Sequence, residues 1–119
     1  MNDVAAILSS IADPTRLRLL RLIHRQELCV CELMDVVQLP QYKVSRHLRE
    51  LRHAGLVEAT RRGRWMHYRV SAAATRSPLH QDLLKFLDVH LRTRPEARRD
   101  DSRLGRRLAQ GRAGRDACG

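Results

Sequence analysis

Aromatic residues are scarce in this sequence of 119 residues, in which one tryptophan, two tyrosines and one phenylalanine make up 3% of the chain. A hydrophobic core must therefore be built from leucine, valine, isoleucine and alanine. A chain of this length supports one modest domain rather than a large enzymatic cleft. Long apolar runs are also missing, since none approaches the ~18 residues that a membrane span needs. We therefore expect a single small domain without a membrane anchor.

Cysteine is the other scarce residue, with three in the whole chain. An odd number, without the spacing of a disulfide framework, is typical of a reducing compartment, so we expect a cytoplasmic protein. The sequence also lacks a recognisable nucleophile–base arrangement and a phosphate-binding loop. We therefore expect no enzymatic activity.

Basic residues are abundant, and they give a formal net charge of +10 and a pI of about 11.1. Such an excess favours a polyanionic partner such as nucleic acid. From Arg92 onward, nine arginines stand against four acidic residues, with several glycines and no apolar period. We predict that residues 1–91 form the folded domain and that residues 92–119 form a basic, disordered tail.

Apolar residues recur at helical spacing in four successive segments of the first half of the chain. The stripes are Val4, Ile7, Leu8 and Ile11; Leu17, Leu20 and Ile23; Leu33, Val36 and Val37; and Val44, Leu48 and Leu51. Asp13 and Pro14 are residue types that begin a helix, while Pro40 and Gly55 mark the limits of the fourth segment. Two helices joined by a short turn, with the second one basic, are typical of a helix-turn-helix motif.

Residues 56–70 have the pattern of a β-hairpin. Met66, Tyr68 and Val70 alternate with polar residues, which indicates a strand, and Arg62-Gly63 suits a tight turn. We predict an arginine-rich wing, so the predicted fold class is mainly α with a small β-hairpin, a winged helix-turn-helix.

A last helix is predicted to begin at Ser77-Pro78. Its apolar side would be formed by Leu79, Leu83, Phe86, Leu87, His90 and Leu91, with Leu84 and Val89 outside that stripe. In so small a chain, a helix this apolar favours packing against a second subunit over packing within the monomer. We predict a homodimer formed through the first and last helices.

The fourth helix has a polar face opposite its apolar stripe, as 100° per residue requires. Arg46 or Arg49 could bind guanine as a planar two-pronged donor, and Gln41 could pair with adenine. Lysine and the remaining arginines are better suited to phosphate contacts, which fix position rather than sequence. The predicted DNA-binding residues are Gln41, Tyr42, Lys43, Ser45, Arg46, Arg49, Arg52, Arg61, Arg62 and Arg64.

Two cysteines lie just upstream of this helix, in the segment Cys29-Val30-Cys31. A position near a helix start favours the thiolate form, and thiolates select soft ions. Residues two apart point about 200° away from each other on a helix but to the same side of an extended segment. An ion bound by both sulfurs would therefore distort the first helical turn. The alternative interpretation is that both cysteines are small buried core residues.

Four segments together resemble the ArsR/SmtB family of metal-sensing repressors, and its arsenic-responsive ArsR branch in particular. They are Glu-Leu-Cys-Val-Cys-Glu-Leu at 27–33, Lys-Val-Ser-Arg-His-Leu at 43–48, Ala-Gly-Leu-Val at 54–57 and Gly-Arg-Trp-Met-His-Tyr-Arg-Val at 63–70. The resemblance covers roughly residues 4–91. It implies a homodimeric winged helix that binds operator DNA when metal-free and releases it on metal binding. It also implies that Cys29 and Cys31 bind As(III) or Sb(III), and that Gln41, Tyr42, Ser45 and Arg46 occupy DNA-contact positions.

The chain departs from this pattern in its third sulfur ligand. Many arsenic repressors have a further cysteine where this chain has Met34, and a thioether cannot form the same bond. Either two sulfurs suffice, or Cys118 supplies the third from the end of the tail. Pro40 and Tyr42 also stand where Ser and Pro are common, which bears on operator preference.

A second metal site of the family is only half present. Asp88 and His90 resemble one half of its zinc site, whereas Asp101 and Leu104 stand at the other two ligand places. Because one of these four residues cannot bind a metal ion, we expect no zinc site here.

Other functions remain open from the sequence. A thiol redox sensor would need Cys118 as the resolving partner, because a bridge within Cys29-Val30-Cys31 is strained. Cd(II) or Pb(II) could replace the metalloid as the sensed ion, and an architectural DNA binder would use the cysteines only in its core.

Overall fold

The computed structural model describes residues 1–110, which form seven helices and three short strands. In chain order these are α1 (Asn2–Ile11), α2 (Pro14–Arg25), β1 (Leu28–Cys29), α3 (Val30–Val37), α4 (Gln41–His53), β2 (Val57–Arg62), β3 (Trp65–Val70), α5 (Ala72–Arg76), α6 (Pro78–Leu91) and α7 (Pro95–Ala109). The predicted fold class, a mainly helical winged helix-turn-helix, is confirmed. Within residues 1–110, no helix is both long enough and apolar enough to span a bilayer.

Helices α3 and α4 form the helix-turn-helix. Gln38 ends α3 in the left-handed conformation, with φ of 59°, and the turn leads into α4 at Gln41. Val44, Leu48 and Leu51 on α4 are completely buried. Each such side chain contributes roughly 1.5–3 kcal/mol by leaving water, so this stripe fixes which face of α4 points outward.

The wing is the antiparallel hairpin of β2 and β3, in register from Val57 opposite Val70 to Arg62 opposite Trp65. Gly63 makes its turn with φ of 63°, a conformation that L side chains rarely adopt. The predicted hairpin is therefore confirmed, but its two-residue turn is Gly63-Arg64 rather than the predicted Arg62-Gly63, since Arg62 still pairs with Trp65 in the sheet.

A third strand, β1, was not predicted. It adds to the free edge of β3, so the sheet order is β1-β3-β2. Leu28 stands opposite Tyr68, and Cys29 stands opposite His67. The cysteine segment is thus joined to the wing by a strand pairing.

Helix α6 begins as predicted, with the Ser77 side chain accepting a hydrogen bond from the backbone N–H of His80 and Pro78 in its first turn. Its apolar residues divide between two surfaces. Leu84 and Leu87 are buried in the core of the protomer, whereas Phe86 and Val89 are 54% and 46% exposed. The single stripe predicted from the sequence is therefore wrong in detail, because two of its members separate, with Leu87 in the core and Phe86 exposed.

The predicted disorder of the tail is wrong for residues 95–109, which form α7. Ala97 and Leu104 are buried on this helix, and Leu108 packs against the core. The buried face of α7 contains few large apolar residues, and an acidic side chain lies on the same face. Asp100 is 1% exposed and receives two hydrogen bonds from Arg18 at 2.8 and 2.9 Å.

A second arginine pair completes the attachment of α7 to α2. Arg21 donates two hydrogen bonds of 2.8 Å to Asp101, and Arg25 donates one of 2.6 Å. The hydrogen bonds from Arg21, followed by the charge of Arg25, hold the pKa of Asp101 below its ordinary value. A planar bidentate pair of this kind is stronger than a single contact and fixes the orientation of both helices.

Candidate nucleic-acid interface and thiol site

The polar face of α4 is on the protein surface, opposite the buried stripe. Gln41, Tyr42, Arg46, Arg49 and Arg52 are exposed, and Tyr42 is 67% exposed. Lys43 and Ser45 are partly exposed on the first turns of the same helix. The structure thus brings all seven predicted α4 residues together on one accessible helix.

These cations are not neutralised by neighbouring acids. Among residues 1–110, no ion pair involves Lys43, Arg46, Arg49 or Arg52. Their charges are therefore available to a polyanion that approaches α4. Planar guanidinium groups can bind either base edges or phosphates, as geometry allows.

His47 anchors α4 to the start of α2. Asp13 caps α2 by accepting a hydrogen bond from the backbone N–H of Arg16 at 3.0 Å, and the Nε of Arg16 donates to Nδ1 of His47 at 3.1 Å. Burial, followed by the positive charge of Arg16, lowers the pKa of His47 although Asp13 acts in the opposite direction. His47 therefore accepts the hydrogen bond from Arg16 in its neutral form and connects α4 to α2.

The wing carries its predicted arginines in two different situations. Arg61 and Arg64 are exposed near the tip. Arg62 is exposed too, but its Nη1 lies 2.9 Å from Oε2 of Glu27. Arg69 on β3 is shared between Glu58, at 2.8 Å, and Glu27, at 3.5 Å. Glu27 was missed as a functional residue, because nothing in its local sequence indicates that it contacts the wing.

Cys29 lies at the junction of β1 and α3. It is the N-cap residue of α3, with extended backbone angles, and its N–H donates to Oε1 of Glu32 at 2.9 Å. The Glu32 carboxylate is completely buried beside it. This reciprocal arrangement is a capping box, which stabilises the first turn of α3.

The expectation that helix position favours the Cys29 thiolate is wrong. Cys29 is 1% exposed and a free thiol. Burial, reinforced by the negative charge of Glu32, raises the pKa of this thiol above its ordinary value. Desolvation of the charged sulfur outweighs the positive end of the α3 dipole.

Cys31 is placed differently from Cys29. It lies inside α3, is partly exposed and is disulfide-bonded in this structure. Met34, one turn later on α3, packs against the core. Cys118, the candidate third ligand, lies outside the described residues. The extended backbone at Cys29 and the helical backbone at Cys31 match the geometry that opposes chelation by both sulfurs without unwinding.

Two residues of the half zinc site have other partners within the protomer. Asp101 is held by Arg21 and Arg25, and His90 stacks on Phe86 with ring centroids 4.8 Å apart. Over residues 1–110, no cluster of three or more His, Cys, Asp or Glu side chains could hold a metal ion.

Comparison with known proteins agrees with this architecture. The family model described as "Bacterial regulatory protein, arsR family" matches residues 13–59, which contain the cysteine pair and the whole helix-turn-helix. The chain is 40% identical over 87 residues to the arsenic resistance transcriptional regulator ArsR1 of Pseudomonas putida, covering 72% of this chain and 61% of that protein. It is 45% identical over 62 residues to the arsenical resistance operon repressor of Escherichia coli, covering 51% and 53%. The chain thus spans about half to three-fifths of the length of these curated relatives.

The fold is shared with solved regulators. The crystal structure of the transcriptional regulator HlyU from Vibrio vulnificus is 32% identical, with a TM-score of 0.61, over 71% of this chain and 83% of that one. The family and these relatives are transcriptional regulators, not enzymes. The matched motifs, the identity over most of the winged helix and the common fold show that the chain belongs to the ArsR family of bacterial regulatory proteins.

Proposed function

We propose that this protein is a homodimeric transcriptional repressor that binds operator DNA through α4 and the wing and releases it when As(III) or Sb(III) binds Cys29 and Cys31. The observation that carries the proposal is the pairing of Cys29 with His67, which makes the thiol segment a strand of the wing sheet. Any distortion at Cys29 is therefore transmitted to a DNA-contacting element through backbone hydrogen bonds. The relatives named for arsenic resistance supply the choice of inducer.

Chelation and the first turn of α3 compete for the same residues. To place both sulfurs on one ion, the backbone at Cys31 must leave the helical conformation. This unwinding breaks the capping box between Cys29 and Glu32, which is worth about 1 kcal/mol in typical helices. Soft thiolate bonds to the metalloid offset that cost.

The buried thiol also makes binding selective. Because burial raises the pKa of Cys29, the sulfur is protonated at neutral pH and binding must displace a proton. A weakly thiophilic ion cannot meet this cost, whereas an ion that forms strong bonds to sulfur can. The same chemistry admits Cd(II) and Pb(II), which are tested beside the metalloids below.

Dimerisation is proposed through α1 and α6. Leu8 on α1 is 47% exposed, and Phe86 and Val89 on α6 are exposed to a similar degree. Among residues 1–110, they are the large apolar side chains that the protomer leaves in water, apart from Met1 and Tyr42. A second copy that covers them would place two α4 helices on successive half-sites of a duplex.

A thiol redox sensor is the second candidate, favoured by the disulfide-bonded state of Cys31. In this case peroxide would be the oxidant, two thiols would lose their protons and electrons to form the disulfide, and peroxide would be reduced to water. The metalloid proposal instead requires the reduced form of Cys31.

One titration separates these candidates. The protein, kept reduced, is bound to a labelled duplex from the promoter region it regulates, and arsenite, antimonite, Cd(II), Pb(II), Zn(II) and hydrogen peroxide are added separately. Release by arsenite and antimonite at the lowest concentrations supports the proposal. Release by peroxide alone assigns redox sensing, and release by none of them leaves a DNA binder without a thiol inducer.

A further inference from the structure

The outer face of α7 is a basic surface that the helix-turn-helix does not explain. Arg98, Arg99 and Arg106 are exposed on it. The nearby acids Asp100 and Asp101 are already engaged by Arg18, Arg21 and Arg25 of α2. Over the described part of the chain, no acidic side chain forms an ion pair with any of the three exposed arginines.

This surface adds little to the stability of the helix that carries it. Arg98 lies at the end of the first turn of α7, where the helix dipole disfavours positive charge. Arg99 is four residues from Arg103, a like-charge spacing that destabilises isolated helices by roughly 0.2–0.5 kcal/mol, and three residues from Glu96, an opposite-charge spacing that stabilises by a similar amount. Exposed charges with so small a role in their own helix are consistent with an external anionic partner.

The position of α7 relative to the helix-turn-helix follows from four contacts. The Nη2 of Arg18 donates to Oδ1 of Asp100 at 2.8 Å and to the carbonyl of Val37 at 3.4 Å. Further along α7, Arg103 donates to the carbonyl of Val36 at 3.2 Å, and Arg107 donates to Asp35. Successive α7 residues therefore meet earlier α3 residues, so the two helices run antiparallel.

The N-terminal half of α7 is thus adjacent to the end of α3, and the turn from that end leads into α4. Arg98 and Arg99 therefore lie on a helix that packs against the first helix of the helix-turn-helix, not on α4 itself. We propose that α7 is a second DNA-contacting surface, whose arginines bind backbone phosphates outside the sites read by α4 and the wing. The partner is double-stranded DNA, so this inference rests on the proposed DNA-binding function.

Phosphate contacts have a signature that base contacts do not. Each one releases condensed counterions, so the slope of log K against log salt changes by ~0.9 per contact. Base-edge contacts instead change the ratio of operator to random-duplex affinity. The proposal therefore predicts a change in the salt slope, with equal losses on operator and random sequence.

The test compares two full-length double variants that remove the same charge. Arg98→Gln/Arg99→Gln neutralises α7, and Arg76→Gln/Lys85→Gln neutralises exposed cations on α5 and α6. Glutamine is a good helix former, so α7 should remain folded, and circular dichroism checks this. Affinity for a labelled 40-base-pair random duplex, about four helical turns long, is measured across a salt series by fluorescence anisotropy.

We expect the α7 variant to lower the magnitude of the slope by about 2 and the affinity at low salt by at least tenfold. The charge-retaining variant Arg98→Lys/Arg99→Lys should keep the wild-type slope. Equal slopes for the α7 variant and the α5/α6 variant would overturn the inference. Absence of duplex binding by the wild type would instead reject the proposed function itself.

Discussion

Glu27 and Arg62 form an ion pair of 2.9 Å that connects the residue two positions before Cys29 to the wing. The same carboxylate lies 3.5 Å from Arg69 and 3.8 Å from Nδ1 of His67, the residue opposite Cys29 in the sheet. The thiol segment therefore reaches the wing by two routes, a strand pairing and a group of charges. Movement of β1 during chelation would change both.

Glu27→Gln should alter both DNA binding and its control. Losing the carboxylate frees the charge of Arg62 for a phosphate, so inducer-free affinity should rise several-fold and the salt slope by ~0.9. The arsenite concentration needed for release should rise as well, because one connection to the wing is lost. Glu58→Gln is the matched control, since it removes an Arg69 partner but leaves the Glu27–Arg62 pair. Identical behaviour of the two variants would show that Glu27 does not couple the sites.

Arg46→Ala should weaken operator binding by ~1–3 kcal/mol more than binding to a random duplex, because its exposed guanidinium is suited to a base edge. Arg76→Ala, on the exposed end of α5, is the control for loss of one positive charge. Parallel anisotropy titrations on both duplexes measure the difference. Equal losses on the two duplexes would assign Arg46 to the DNA backbone.

Phe86→Glu should convert the dimer to a folded monomer, because a charge would be buried at the proposed seam. Phe86→Glu is a sharper test than a substitution at Leu87. Leu87 is completely buried within the protomer, so a charged residue there would unfold the protomer itself. Lys85→Glu, at the exposed neighbouring position, controls for the added charge. Sedimentation velocity measures the mass, and a wild-type protein that is already monomeric would reject the dimer.

The extent to which sequence predicted the fold depended on the range of the contacts. The period of Val44, Leu48 and Leu51 and the turn at Gly63 are local signals, and α4 and the hairpin were found from them. Strand β1 has two residues, and only its pairing with β3, some forty residues away, makes it a strand.

Helix α7 also depends on contacts that are distant in the sequence, and here these contacts are ion pairs rather than a strand pairing. The local sequence indicates that Asp100 and Asp101 are solvent-exposed. Their partners Arg18 and Arg21 lie about eighty positions earlier and are not visible in it. The prediction that helix position favours the thiolate form of Cys29 was wrong for a related reason. Its helix position is visible in the sequence, whereas the burial that raises its pKa is a property of the assembled core.

Cys118→Ser should retain the arsenite response, with affinity lowered at most moderately. A two-sulfur site at Cys29 and Cys31 avoids the entropy cost of ordering additional chain for a third ligand. A monosubstituted organoarsenical needs only two sulfurs and serves as the control inducer. Loss of the arsenite response alone, with the organoarsenical response intact, would make Cys118 a required third ligand.

The most direct measurement is arsenite-driven release of duplex DNA by Cys29→Ser and Cys31→Ser under reducing conditions. Serine is close in size to cysteine but cannot supply a soft thiolate, so folding and DNA binding should persist. The account predicts wild-type DNA affinity for both variants and no release at arsenite concentrations that dissociate the wild-type complex completely. Release of DNA by arsenite from either variant, with the midpoint of the wild type, would contradict the assignment of Cys29 and Cys31 as the sensing site.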